Sequence, residues 1–189
     1  MCNNFSELHN LLCSDIRCNA LYEVIMMMES WLNINAPYSM LDPNNQYKLV
    51  HCDRDVLRIG GGVCVLALKR FNVISIDLSE LYPELEIYCV DLMYSDAKCR
   101  LFVVHRAPKS DHITRSLECI NLLSKVKCHC RVSVDFHCGD VNCQTLKAFV
   151  DSIQDELLYF SINNYFLQVV QSATRANNLL DLVFTNELP

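Results

Sequence analysis

Four short segments of this chain put chemically competent side chains at the ends of apolar runs. Glu29 directly follows the compact apolar run Val24 to Met28. A carboxylate leaving a buried strand can bind a hard cation, since magnesium takes only one or two protein carboxylates and fills its shell with water and substrate phosphate. A glutamate opening a surface loop is the plainer reading. In Gly139-Asp140-Val141-Asn142, Asp140 and Asn142 stand two apart and project to one side if the segment is extended. The aspartate can then orient or deprotonate a water, and the amide can hold a phosphate oxygen or fix the aspartate. An Asp-containing turn closing a strand would need no chemistry at all.

His105 and Arg106 end a third apolar run with a titratable ring and a cation, suited to phosphate contact, to acid chemistry or to a structural role. Thr174 and Arg175 offer a hydroxyl and a guanidinium that suit a phosphate. Asp181 lies inside the apolar run Leu179 to Phe184 and needs a partner if buried, which a salt bridge without catalytic meaning would supply.

The elements that must position these groups are mostly strands. Leu8, Leu11 and Leu12 with Phe5 recur at helical spacing, so 4–13 is predicted as a short amphipathic helix. Strands are predicted at 24–28, 47–52, 63–68, 71–76, 86–94, 98–105, 131–138 and 179–184, with Ser95-Asp96-Ala97 as a hairpin turn. Helices are predicted at 114–126 and 146–158, and the turn formers of 36–45 read as a loop. No repeat, low-complexity tract or linker divides the chain, so residues 1–189 are read as a single domain, with two packed sheets flanked by helices.

Composition sets further bounds. No apolar run approaches the roughly 20 residues that cross a bilayer, and the N-terminus carries no basic leader before an apolar segment, so neither a membrane span nor a signal peptide is expected. Twelve cysteines without an export signal point to a reducing, intracellular setting in which most are free thiols packed as small hydrophobes. A net charge of −6 lacks the basic excess of a dedicated DNA-binding module, while it is compatible with a metal held among acidic residues. A zinc module built from Cys128, His129, Cys130, His137, Cys138 and Cys143 is disfavoured, because the C-x-C spacing has no matching second pair. No obligate protein partner is inferable.

Taken in order, the segments resemble a known family. Glu29-Ser30-Trp31-Leu32 is similar to the "TE(S/T)WL" motif of endonuclease/exonuclease/phosphatase domains in non-LTR retrotransposons, and Arg58-Ile59-Gly60-Gly61-Gly62-Val63 to their "RGGGV". Val103 to Pro108 resembles "VVYRPP", Gly139 to Asn142 resembles "GDFN", and Gln171 to Arg175 with Leu180 to Thr185 resembles "Q…PTR…LDLVFT". Each motif is weak alone; their shared order is specific.

The resemblance implies an α/β fold, the four-layered αββα sandwich of two mainly antiparallel sheets (DNase I-like). It also implies an enzyme that hydrolyses DNA phosphodiester bonds with Mg²⁺ or Mn²⁺, in the nucleus where it serves a retrotransposon. Carried over by position, Glu29 would bind the metal, Asp140 would activate the water, and Asn142 would hold the phosphate and that aspartate. Asp181 would orient a catalytic histidine, with Thr174 and Arg175 as substrate contacts. Asp135-Phe136-His137 is a second segment similar to "GDFN", but it lacks the glycine and lies within a strand, so Asp140 is preferred.

Departures from the pattern leave alternatives open. His105 stands where the family carries a catalytic tyrosine. The family's upstream metal-site asparagine and its terminal Ser-Asp-His motif have no counterpart in residues 1–189, so the domain is expected to be incomplete at both ends, with C-terminal strands missing and a sheet edge exposed. A catalytically inactive remnant with little or no nicking activity is therefore an alternative to the endonuclease, and a phosphatase of the same fold is a further one.

Overall fold

The computed structural model describes residues 22–30, 32, 39, 41–42, 44–52, 61–106, 112–136, 141–142, 147–148, 152–170, 172, 174 and 181–186. Their elements run β1 (Val24–Met28), β2 (Tyr47–Cys52), β3 (Val63–Leu68), β4 (Asn72–Ile76), β5 (Glu86–Tyr94), β6 (Ala97–His105), α1 (Ile113–Ser124), β7 (His129–Asp135), β8 (Val141–Asn142), β9 (Lys147–Ala148), α2 (Ser152–Asn163), β10 (Leu167–Gln168) and β11 (Asp181–Thr185).

Two main sheets result. The smaller has the order β1-β3-β2, and both of its pairings are antiparallel. The larger has the order β10-β11-β7-β6-β5-β4, with β6 and β7 parallel and the other neighbours antiparallel. A parallel pair needs a long crossover, and α1 lies in the one between β6 and β7. A short β8–β9 pair stands apart from both sheets.

The layering follows from which face each apolar residue takes. Every residue of β3 is buried, so this central strand shows no polar alternation. Val63, Val65 and Ala67 pack against Val73, Val90, Leu92, Leu101 and Val103 to form the core between the sheets. Cys64, Leu66 and Leu68 turn to the outer side, where Leu32, Leu41 and Tyr47 cover them. On the far face of the larger sheet, Phe102, Val104, Val132, Val134, Leu182 and Phe184 pack against Ile113, Leu117 and Ile120 of α1 and Leu157 and Phe160 of α2. The expected arrangement of two mainly antiparallel sheets with helical cover is the one observed; the helix predicted at 4–13 lies outside the described residues.

Two local expectations are corrected. The helix predicted at 146–158 is displaced to Ser152–Asn163, and Lys147–Ala148 pairs as a strand instead. The buried stripe continues to Phe160, so tertiary burial extended a period that the sequence window had closed too early. The strand predicted at 131–138 starts earlier, at His129, because Asn186 anchors its beginning: Cys130 N–H donates to Asn186 Oδ1 at 2.7 Å. β10 pairs along the outer side of β11 and forms the edge of the larger sheet there, and Val169 N–H adds a bond to Val183 O at 2.9 Å. Two-residue strands such as β10 are too short for a period-2 pattern to reveal.

The described cysteines pack as small hydrophobes, as expected. Among the described residues, Cys64, Cys89, Cys119 and Cys130 are buried and outside any disulfide. Burial pushes the Cys89 and Cys130 thiols up to about 12 and Cys119 to about 11, so they remain neutral packing groups.

Helix α2 ends in a Schellman turn. Phe166 N–H reaches Ser161 O at 2.9 Å and Tyr165 N–H reaches Ile162 O at 3.2 Å, while Phe166 stacks on Phe160 with ring centroids 5.4 Å apart. The left-handed position falls on Tyr165, at φ 55, with its side chain 87% exposed. A Cβ in that region costs about 1 kcal/mol or more. Replacing Tyr165 by glycine should therefore raise stability by about 0.5–1 kcal/mol, after allowing for the freer unfolded chain, measured by urea unfolding.

A buried ion pair fastens α1 to the larger sheet. Asp91 and Arg100 face each other across β5 and β6, joined by bonds of 2.7 and 2.9 Å. Arg100 Nη1 also donates to Leu123 O at 2.8 Å, one of the carbonyls left open at the end of α1. Burial pushes the Asp91 carboxyl up, but hydrogen bonds from Arg100 and Lys98 outweigh it and hold the group below the usual carboxylate range. With the folded pKa below the unfolded value of about 3.9, this contribution is complete above that pH and is lost as pH falls through the folded pKa. Asp91→Ala should cost about 3–5 kcal/mol, and the difference from the parent should begin to shrink below roughly pH 4 and vanish only below the folded pKa of Asp91; a pH series of thermal melts checks both statements.

Candidate active site

The two-residue turn at Ser95-Asp96 fixes the register of the longest hairpin, pairing Tyr94 with Ala97 and Glu86 with His105. The parallel β6–β7 pairing then places His105 beside Asp135, and β7–β11 places Asp135 beside Asp181. One row, Glu86-His105-Asp135-Asp181, thus crosses four neighbouring strands at one end of the larger sheet.

The smaller sheet brings Glu29 to this row. β1 ends at Met28, opposite Val63 at the start of β3, and Ser30 N–H donates to Gly62 O at 3.0 Å. Gly61 and Gly62 take φ values of 86° and 78°, a region that glycine occupies without cost. Glu29 is also left-handed, at φ 51°. A glutamate held there costs about 1 kcal/mol or more, the kind of strain that persists at functional positions.

His105 is the centre of the constellation and is 3% exposed. Its Nδ1 lies 2.7 Å from Glu86 Oε2, and its Nε2 lies 3.4 Å from Glu29 Oε1. Gly62 N–H donates to the same Glu86 oxygen at 3.2 Å. Glu86 therefore links the start of β3 to the end of β6, and its carboxylate, an acceptor only when ionised, assigns a proton to Nδ1. At the row's other end, Asp181 N–H donates to Thr174 Oγ1 at 3.1 Å. Arg106 is engaged with the end of β7, its N–H donating to Asp135 O at 3.0 Å and its Nε to Phe136 O at 2.8 Å.

The structure brings Glu29 and His105 together, sets Asp181 in the same row, and puts Thr174 against the Asp181 backbone. Asn142 lies in β8. Asp140, Arg175 and the side chain of Asn142 lie outside the described residues. Glu86 was missed as a site residue, although the two-residue turn at Ser95-Asp96 was enough to pair it with His105. Asp135, considered only as a substitute for Asp140, belongs to the row.

The divalent cation implied by the sequence resemblance finds a suitable donor in Glu29, whose side chain is 50% exposed beside the row, because magnesium needs few protein carboxylates. Among the described residues, no group of three or more His, Cys, Asp or Glu side chains is arranged to enclose a metal. Cys130 is buried in the helix-facing core while its neighbour His129 is exposed, which separates two of the ligands a zinc module would have required.

No protein-family model matches the chain, and no curated protein matches it in sequence. Solved structures do match. The endonuclease domain of TRAS1, a telomere-specific non-LTR retrotransposon, superposes with TM-score 0.61 at 15% identity over 93% of this chain and 76% of that one. The human Nocturnin catalytic domain gives 0.62 at 12% identity, over 96% and 75%. A mannosyl-6-phosphatase of Bacteroides thetaiotaomicron gives 0.67 at 10%, over 96% and 77%. Likeness at such identities is likeness of fold, and the chain has the DNase I-like, two-sheet α/β fold of these nucleases and phosphatases.

Proposed function

We propose that this chain is a divalent-metal-dependent phosphodiester hydrolase acting on DNA, of the kind that nicks target sites for a non-LTR retrotransposon. One observation carries the reading: strands from both sheets deliver Glu29 and His105 to the row that holds Asp181, in a chain whose ordered motifs resemble that family. Two of the solved structures support the choice of substrate class, one titled as the TRAS1 endonuclease domain and one as zebrafish TDP2 complexed with a single-strand DNA product. In this reading Glu29 binds the cation, Asp140 activates water, Asn142 steadies the phosphate, and Thr174 and Arg175 contact the substrate. Asp181 orients the acid partner. A nuclear location follows from the same reading.

A second reading has one specific observation in its favour. His105 occupies the position where the resemblance carries a tyrosine, and its ring lies between two carboxylates. A domain with that exchange that no longer hydrolyses DNA is the remnant reading.

Supercoiled plasmid separates the two. The hydrolase reading requires nicking by the full chain that depends on added Mg²⁺ or Mn²⁺, and falls at least ~100-fold in Asp140→Ala and in Glu29→Gln. Absence of nicking in every divalent ion would sink it, and release of phosphate from small phosphomonoesters alone would move the assignment to a phosphatase. Glu29→Gly is a sharper probe: removing the left-handed Cβ should stabilise the fold by about 1 kcal/mol while abolishing nicking. Unfolding midpoints and nicking rates on the same preparation decide that point.

A further inference from the structure

Helices α1 and α2 cover the larger sheet on the face away from the smaller one. They lie side by side, with Thr114 Oγ1 donating to Glu156 Oε2 at 2.6 Å. Between them is a cleft of about 330 Å³. Leu117 and Phe160 are buried in it, while Tyr159, which also lines it, is 65% exposed. More apolar surface borders the cleft. Leu122 and Ile162 are exposed one turn on from the lining residues Glu118 and Tyr159. Tyr165 stands just past the end of α2, exposed and left-handed at φ 55°, with its N–H on Ile162 O. Backbone strain under an exposed aromatic ring points to a use beyond stability, and grouped exposed apolar side chains mark interaction surfaces. The polar lining is one-sided. Glu118 and Glu156 stand among hydroxyl and amide groups, and no Lys or Arg lines the cleft. Arg115 meets Glu118 at 3.4 Å, but its guanidinium lies over the Tyr82 ring and also reaches Glu84.

We propose that this cleft docks an amphipathic helix of another protein, with apolar anchors on one face flanked by Lys or Arg. The walls are helices whose interior backbone groups bond internally. A docking segment must therefore satisfy its own backbone, as a helix laid in a groove does. Its apolar anchors would enter beside Leu117, Tyr159 and Phe160, and its cations would meet Glu118 and Glu156. The sign of the lining decides among occupants. Phosphates of nucleic acid or of anionic lipid are repelled there, and a second copy would bring a further net charge of −6. None of Glu29, Glu86, His105, Asp135 and Asp181 lines the cleft. The inference thus goes beyond the hydrolase reading and does not rest on it.

A displayed library of helical peptides tests this without presupposing a sequence. Each member carries an apolar stripe at i, i+3, i+4 and i+7, and the flanking positions vary between Lys and Glu. Selection on the full chain should enrich Lys-rich members. The affinity of the selected peptides, made synthetically, should fall roughly tenfold or more in Tyr159→Ala. It should fall several-fold in Glu118→Lys, with that second loss shrinking as salt is added. Both changes fall at exposed positions. Should Tyr159→Ala fail to fold, Glu118→Lys decides. Failure to enrich any member, or enrichment of Glu-rich members, overturns the proposal. Peptides that bind both variants as tightly as the parent also overturn it, because they sit elsewhere. Self-association of the parent that Tyr159→Ala abolishes would do the same, since the occupant would then be a second copy.

Discussion

The register of the β5–β6 hairpin is the constraint on which the rest of the molecule depends. Nine cross-strand pairs run from Tyr94–Ala97 at the turn to Glu86–His105 at the open end. Because side chains alternate along a strand, a slip by one residue would exchange the two faces of the hairpin. Val90, Leu92, Leu101 and Val103 would leave the core between the sheets, and the Asp91–Arg100 pair that reaches the end of α1 would turn away from the helices. Glu86 and His105 would lose each other. Core, helix attachment and site geometry are consequences of one pairing. Ser95, left-handed at φ 51°, marks the strain at the turn that sets it.

The two sheets pack by apolar contact along β3, and polar groups join them beside Val63, where Glu86 takes the Gly62 N–H, as well as at Lys48, whose Nζ donates to Val73 O at 3.0 Å. Along β3, Val63, Val65 and Ala67 are completely buried, whereas just before Val63 the backbone passes through two left-handed glycines, and the second, Gly62, donates its N–H to Glu86 and accepts from Ser30 N–H at its C=O. This junction is where the strained Glu29 and the buried His105 meet. Close packing transmits strain poorly across a compliant surface but well through an apolar core, so the core behind the site can hold Glu29 in a backbone conformation that an isolated strand end would relax.

Much of this was legible in the sequence, for identifiable reasons. The apolar runs at 24–28, 63–68 and 86–94 match strands because their burial on one or both faces is written in residue type. Glu29, His105 and Asp181 stand out because each interrupts or ends such a run. Glu86 did not, since a glutamate at the start of a strand looks like any solvated charge until the turn is used to count the register. β8, β9 and β10 escaped for a different reason: two residues carry no period, and their pairing depends on what the tertiary fold brings alongside. The displaced α2 shows the same dependence, with its end set by the Phe160–Phe166 stack and the turn at Tyr165 rather than by propensity.

The acidity of the chain bears on how such a site could engage a polyanion. At a net charge of −6, long-range attraction to a phosphate backbone is absent, and locally Glu29, Glu86, Asp135 and Asp181 converge on one sheet end. Unit charges of like sign about 4 Å apart repel by roughly 4 kcal/mol near a protein surface, so the bare row would resist a phosphate diester. In the hydrolase reading, a divalent cation at Glu29 would offset part of that negative charge and give the phosphate a positive centre to bind. Binding of cation and phosphate would then be mutually dependent, each raising the affinity of the other by the same factor, as linkage requires. In the hydrolase reading the cation would then be the chief source of attraction for DNA at this site, which is how an acidic domain could act on nucleic acid without the basic surface that a sequence-reading module needs.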